Sequence, residues 1–119
     1  MKNILLVEDN EMNRDMLARR LERKGFNVYI ATNGEEALIK AAELLPDIIL
    51  MDMSLPVIDG WQATKTLKTQ KETSHIPIIG LSAHAREEDI MRGKQAGCDA
   101  YETKPIDLPL LLGTMERLF

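Results

Sequence analysis

A single cysteine, Cys98, allows neither an intrachain disulfide nor a thiolate zinc cluster, so nothing in the sequence asks for an oxidising compartment. Aromatic residues make up only 4% of the chain, and Trp61 lacks the basic neighbours that stacking on a nucleobase needs. Positive charge is not in excess: fifteen Lys and Arg against nineteen Asp and Glu leave a net charge of −4. That balance argues against a surface built to neutralise a nucleic-acid backbone. No apolar run approaches the ~20 residues of a membrane span, and Ile4-Leu5-Leu6-Val7 is cut off by Glu8 before it reaches the length of a signal-peptide core. The expectation is one cytoplasmic, free-standing unit over residues 1–119, with no nucleic-acid or membrane partner.

What is present is a regular alternation. Short apolar runs recur at Ile4-Leu5-Leu6-Val7, Val28-Tyr29-Ile30, Ile48-Ile49-Leu50-Met51 and Ile78-Ile79-Gly80-Leu81, with a weaker one at Asp99-Ala100-Tyr101-Glu102-Thr103. Their lengths and β-branched content predict buried strands. Helical spacing fills the gaps, as in Met12, Met16, Leu17 and Leu21, or Leu108, Leu111, Leu112, Met115 and Leu118. The methionines among these read as gap-filling core residues, and Trp61 as a core anchor with Leu67. Thr32-Asn33-Gly34-Glu35 has capping-box form, and Gly25, Pro46 and Gly97 stand where helices should stop. The fifth helix should open at Asp107, with Pro109 in its first turn. Near-continuous apolar strands separated by helices predict an α/β, doubly wound parallel sheet of five strands with five helices.

In an open parallel sheet, ligands bind beyond the carboxyl ends of the strands. Those ends carry Glu8-Asp9, Asp52, Ser82 and Lys104-Pro105. Two unit charges at 4 Å repel by ~4 kcal/mol at an effective dielectric near 20, so three converging carboxylates need positive charge. Oxygen ligands of this kind suit Mg²⁺, and Lys104 supplies a second cation. A carboxylate beside both is a phosphoryl acceptor, and Asp52 is the candidate nucleophile.

Five elements in this order resemble a response-regulator receiver domain of two-component signalling, of the single-domain, chemotaxis-regulator-like kind. They are Val7-Glu8-Asp9-Asn10, Leu50-Met51-Asp52-Met53-Ser54-Leu55-Pro56, Asp59-Gly60, Ser82-Ala83 and Lys104-Pro105. The resemblance spans essentially the whole chain. It implies a flavodoxin-like fold with strand order 2-1-3-4-5, and a phosphoacceptor signalling protein, not an enzyme with turnover. Glu8, Asp9, Asp52 and the Ser54 carbonyl would surround Mg²⁺, and Asp52 would be phosphorylated by a histidine kinase or histidine phosphotransfer protein. Ser82 and Lys104 would hold the phosphoryl oxygens, Lys104-Pro105 would be cis, and Tyr101 would be the switch aromatic. The partner-binding face would be the fourth helix, fifth strand and fifth helix, with Arg86, Tyr101 and Glu102.

Glu8 stands where aspartate is more frequent, so its longer arm is expected to reach the metal through water. Ser82 stands where threonine is more usual, and Ser54 and His84 occupy positions that tune phosphoryl lifetime. Plainer readings remain: Tyr101 packed with its hydroxyl at the surface, His75 and His84 solvated, and Cys98 a small buried hydrophobe. Rival functions are an aspartyl phosphatase, which would want a second aspartate at position 54, a flavin carrier, which would want a phosphate-cradling loop after the first strand, and a degenerate, phosphorylation-independent receiver.

Overall fold

The computed structural model describes residues 2–83 and 86–119; His84 lies outside them. Five strands, β1 (Asn3–Val7), β2 (Asn27–Ala31), β3 (Ile48–Asp52), β4 (Ile78–Ser82) and β5 (Ala100–Thr103), alternate with five helices. The helices are α1 (Glu11–Arg23), α2 (Gly34–Leu44), α3 (Gly60–Thr69), α4 (Glu87–Ala96) and α5 (Leu108–Leu118). All strand pairs are parallel and the order is β2-β1-β3-β4-β5, as the resemblance implied. No helix among the described residues is long and apolar enough to cross a membrane.

The unbroken apolar runs follow from a sheet covered on both faces. Side chains alternate, so Leu5, Val7, Ile49, Met51 and Ile78 join Ala37, Ala41, Ala63 and Leu67 of α2 and α3 on one side. Ile4, Leu6, Ile48, Leu50, Ile79 and Leu81 meet Leu17 and Leu21 of α1 and Leu108, Leu111 and Met115 of α5 on the other. β1 and β3 lie at the centre, where the strand order reverses, in a register that sets Val7 beside Met51. Glu8 therefore emerges next to Asp52.

Helix ends follow local chemistry, with one correction at the start of α2. Gly25 and Gly97 take the left-handed φ values of +94° and +111° that end α1 and α4, and Asp107 caps α5 with Pro109 in the first turn. At α2, however, the cap is Asn33, whose Oδ1 accepts from the Glu36 N–H at 2.8 Å, while the Thr32 hydroxyl donates to the Glu36 carboxylate at 3.1 Å. The reciprocal box at Thr32 and Glu35 does not form, because the helix starts one residue later. Its other end precedes Pro46: Leu45 itself adopts φ +46°.

The fifth strand begins at Ala100, one residue after the apolar reading placed it. Asp99 is diverted into a staple: its carboxylate accepts from the Ile78 N–H and from Lys68 Nζ, both at 2.9 Å. Lys68 also donates to the Ile76 carbonyl at 2.7 Å, tying α3 to the entry of β4 and the start of β5. Lys68→Met keeps the aliphatic stem but loses these charged hydrogen bonds. It is expected to cost about 1–2 kcal/mol, measured as a lower urea midpoint at unchanged m-value.

Candidate functional site

The carboxyl edge of the sheet brings Glu8, Asp9, Asp52 and Lys104 together. Glu8 and Asp9 follow β1, Asp52 ends β3, and Lys104 follows β5, joined to Pro105 by a cis bond. One carboxylate oxygen from each of Glu8, Asp9 and Asp52 lies within 4.8 Å of the others. Lys104 Nζ sits 2.7 Å from Glu8 Oε1 and 3.4 Å from Asp52 Oδ2. The Ser54 N–H donates to Asp52 Oδ1 at 3.0 Å, and the Asn10 N–H donates to Glu8 Oε2 at 3.3 Å. Glu8 and Asp52 are 4% and 3% exposed, whereas Asp9 opens to solvent.

Charge is the governing feature of this arrangement. Three carboxylates face one ammonium, a balance of −3 + 1 = −2 over a few ångströms of half-buried space. Burial pushes the Glu8 carboxyl up to about 7, and the neighbouring Asp52 pushes in the same direction against the pull of Lys104. For Lys104, burial alone would lower the ammonium, but the carboxylates of Glu8 and Asp52 outweigh it and hold it above its ordinary value. The donor set is entirely oxygen, carries excess negative charge and has one side open to water, which is what a partly hydrated Mg²⁺ requires. The residues fit that ion.

A response regulator receiver domain model matches residues 4–116. The chain belongs to that family. It is 42% identical over 115 residues to the polar-differentiation response regulator DivK of Brucella anthropi, covering 97% of this chain and 94% of that protein. Among solved structures it is similar to the Vibrio cholerae chemotaxis protein CheY4, with a TM-score of 0.93, 31% identity and coverage of 100% and 99% of the two chains. It is also similar to the receiver domain of the Pseudomonas aeruginosa sensor histidine kinase PA1611, with a TM-score of 0.92, 36% identity and coverage of 98% and 96%. That structure has a magnesium ion coordinated in the active-site cleft. The chain is thus a receiver-domain signalling protein with an acidic phosphorylation site, not a conventional enzyme, and a receiver domain implies a histidine kinase partner. Its acidic pocket accords with Mg²⁺, as in receiver domains.

The remaining candidate residues fall into place around the receiver site. Ser82 ends β4, is 2% exposed, and its carbonyl accepts from the Lys104 N–H at 2.7 Å. The Tyr101 ring points inward, and the reading that left its hydroxyl at the surface is wrong: the oxygen is buried. Burial is also the main reason its phenol lies above the ordinary value, against a smaller opposing pull from Ser82. Two glycines make room for the ring. A Cβ on Gly80 would stand 3.1 Å from Tyr101 Cδ2, and one on Gly93 of α4 would stand 2.9 Å from the same atom. Gly80, lying inside an apolar strand, was the available sequence signal for such a close approach.

Two core assignments change. Met12 and Met16 are 74% and 52% exposed, so they fill no gap; Met115 alone of that trio is in the core. Burial along α1 begins at Leu17. Trp61 is only partly buried beside the fully buried Leu67, and the Arg92 guanidinium lies over its ring, 4.1 Å from the centroid. Sequence reading missed this contact because it joins two helices with no shared motif.

Metal occupancy should stabilise the fold by mass action, about 2.7 kcal/mol at a hundredfold excess over the dissociation constant. Mg²⁺ titration is expected to raise the unfolding midpoint saturably, and Asp9→Asn to weaken that gain. A second outcome follows from Cys98, whose thiol burial pushes up to about 11 from 9.0. At pH 8 its reaction with a chromogenic disulfide should be at least about tenfold slower in the native protein than in urea, because less thiolate is present. Unfolded protein should react faster as pH rises through 9, while the native thiol lags until near 11.

Proposed function

We propose that Asp52 accepts a phosphoryl group from a phosphohistidine, carried by a histidine kinase or a histidine phosphotransfer protein, and that the modified chain binds a downstream partner. The observation that carries this reading is the Asp52 carboxylate itself. It is nearly enclosed, held by the Ser54 N–H at 3.0 Å, and has Lys104 Nζ at 3.4 Å. In the transfer, an Asp52 oxygen attacks phosphorus in line, the P–N bond breaks, and its electron pair returns to the imidazole of the donor. Lys104 then exchanges Glu8 for a phosphoryl oxygen, and the Ser82 hydroxyl takes another. Glu8, Asp9, Asp52 and the Ser54 carbonyl would hold Mg²⁺, which would supply positive charge against the transferring oxygens.

Phosphorylation acts as a population shift. The group brings about −1.5 to −2 charge to a place where Lys104 and Ser82 grip it in one arrangement. Moving an equilibrium from 1:99 to 99:1 needs ~5.5 kcal/mol, and charged hydrogen bonds contribute ~1.5–3 kcal/mol each, so two or three suffice before desolvation. The output surface is the face of α4, β5 and α5, with Arg86, Tyr101 and Glu102. Exposed Met91 on α4 and Leu110 on α5, at 53% and 58%, favour it. Residues 1–119 act as one receiver unit in the cytoplasm, a reading supported by the lone cysteine and the continuous family match.

Incubation with Mg²⁺ and a small phosphodonor is expected to add the mass of one phosphoryl group, and Asp52→Asn to abolish that gain. Label on any other residue, or sustained hydrolysis of a phosphomonoester, would overturn the assignment.

A further inference from the structure

α4 is the most weakly seated of the helices. Gly93 is its one buried residue, whereas α1 buries Leu17 and Leu21, and α5 buries Leu108, Leu111, Thr114 and Met115. Its first turn carries Glu87, Glu88 and Asp89, with no side chain capping the N-terminus. Its carboxyl end is better fixed. Gly97 turns at φ +111° against the Lys68 stem, and the next residue, Cys98, reaches Thr64 Oγ1 of α3 at 4.0 Å. Between that anchored end and the loose first turn stands Arg92. Its guanidinium stacks over Trp61, 4.1 Å from the ring centroid, and Nη2 lies 4.0 Å from Asp59 Oδ2.

Both of its partners belong to the start of α3. Asp59 caps that helix through the Gln62 N–H at 2.9 Å. The next residue, Gly60, is pressed against the acceptor strand: its N–H donates to the Met53 carbonyl at 3.2 Å, and a Cβ there would lie 2.3 Å from the Asp52 carbonyl oxygen. Beside Arg92 in the chain is Gly93, the residue that closes over the Tyr101 ring. A contiguous path thus runs from the Asp52 backbone through Gly60 and Asp59 to Arg92, and from Gly93 to Tyr101.

We propose that Arg92 is a clasp that holds α4 against α3 and thereby keeps the Tyr101 ring in its inward slot, so that the position of α4 and the orientation of Tyr101 form one equilibrium. The carboxyl end of α4 is the hinge. By reciprocity, whatever shifts the acceptor strand biases the clasp, and the clasp biases the acceptor strand equally. That link to Asp52 rests on the phosphoacceptor reading, whereas the clasp itself does not.

The test uses unmodified protein without phosphodonor, with Trp61 as the single tryptophan and 3-fluorotyrosine at Tyr29 and Tyr101. Tyr29→Phe assigns the Tyr101 fluorine resonance. Arg92→Ala is expected to raise the open fraction about two- to fivefold, the effect of an exposed cation–π contact. It should appear both as stronger acrylamide quenching of Trp61 and as a displaced Tyr101 resonance. Arg92→Lys, which keeps the charge near Asp59 but loses the planar stack, should fall between wild type and Arg92→Ala. Arg19→Ala, which removes an exposed arginine of α1, should change neither signal. Increased quenching with an unmoved Tyr101 resonance would overturn the coupling, and no change in either would overturn the clasp. Phosphoryl gain, read separately by mass, distinguishes failure of the phosphoacceptor reading from failure of this one.

Discussion

Like charges forced together at the carboxyl edge of the sheet shape the rest of this molecule. The parallel register of β1 and β3 puts Val7 beside Met51, so the residues that follow, Glu8 and Asp52, meet by construction. The two cores prevent escape, because both carboxylates are the continuation of strands buried on each face. One ammonium, from Lys104 on the far side of β4, reaches across to both. A fold selected for stability alone would replace such a group with matched or apolar side chains. The excess negative charge instead fits a divalent cation, as the acidic pocket of receiver domains does.

Around that charged centre the protein is firmly held beside Asp52 and loosely seated at α4. The β3–α3 connection is over-determined: Ser54 hydrogen-bonds Asp52, Gly60 bonds Met53, and Val57, 79% exposed, is held at φ +68°, a conformation β-branched residues avoid. By contrast α4 has little buried surface and an uncapped start. Rigid support on one side and a weakly seated helix on the other would give the proposed event at Asp52 something to move.

The sequence made the sheet legible because a doubly covered parallel strand must be apolar on both faces, and the five runs had no other economical use. The site was legible for a related reason: residues ending adjacent parallel strands converge whatever lies between them. Side-chain exposure on helices was harder to read. Met12 and Met16 form one i, i+4 pair and Leu17 and Leu21 another, but the two pairs lie about 140° apart around the helix, so only the leucine face meets the sheet. An i, i+4 pair defines a face but not which of two apolar faces the sheet covers. The α2 cap was misplaced by one residue because Thr32, Asn33, Glu35 and Glu36 offer two overlapping capping patterns, and local sequence does not choose between them. The Arg92–Trp61 contact depends on how α3 and α4 sit side by side, which no single segment encodes.

Lys104 is placed to serve both the resting state and the proposed modified one. At rest its nearer partner is Glu8, at 2.7 Å, and Asp52 is the more distant, at 3.4 Å. A lysine ammonium is a compact charge on a flexible stem, able to swing between acceptors without rebuilding a planar fork. In the proposed transfer, a phosphoryl group on Asp52 would add acceptor oxygens and more charge than Glu8 offers, so the competition for Lys104 would reverse. Because the Lys104 N–H is donated to the Ser82 carbonyl at 2.7 Å, the backbone of this lysine is tied to the end of β4. The swing would therefore take place in the side chain, between two fixed strand ends. Glu8, at 2.7 Å, keeps the ammonium 3.4 Å from Asp52, so in the proposed transfer Lys104 would already stand beside the acceptor and could change partners by side-chain rotation alone.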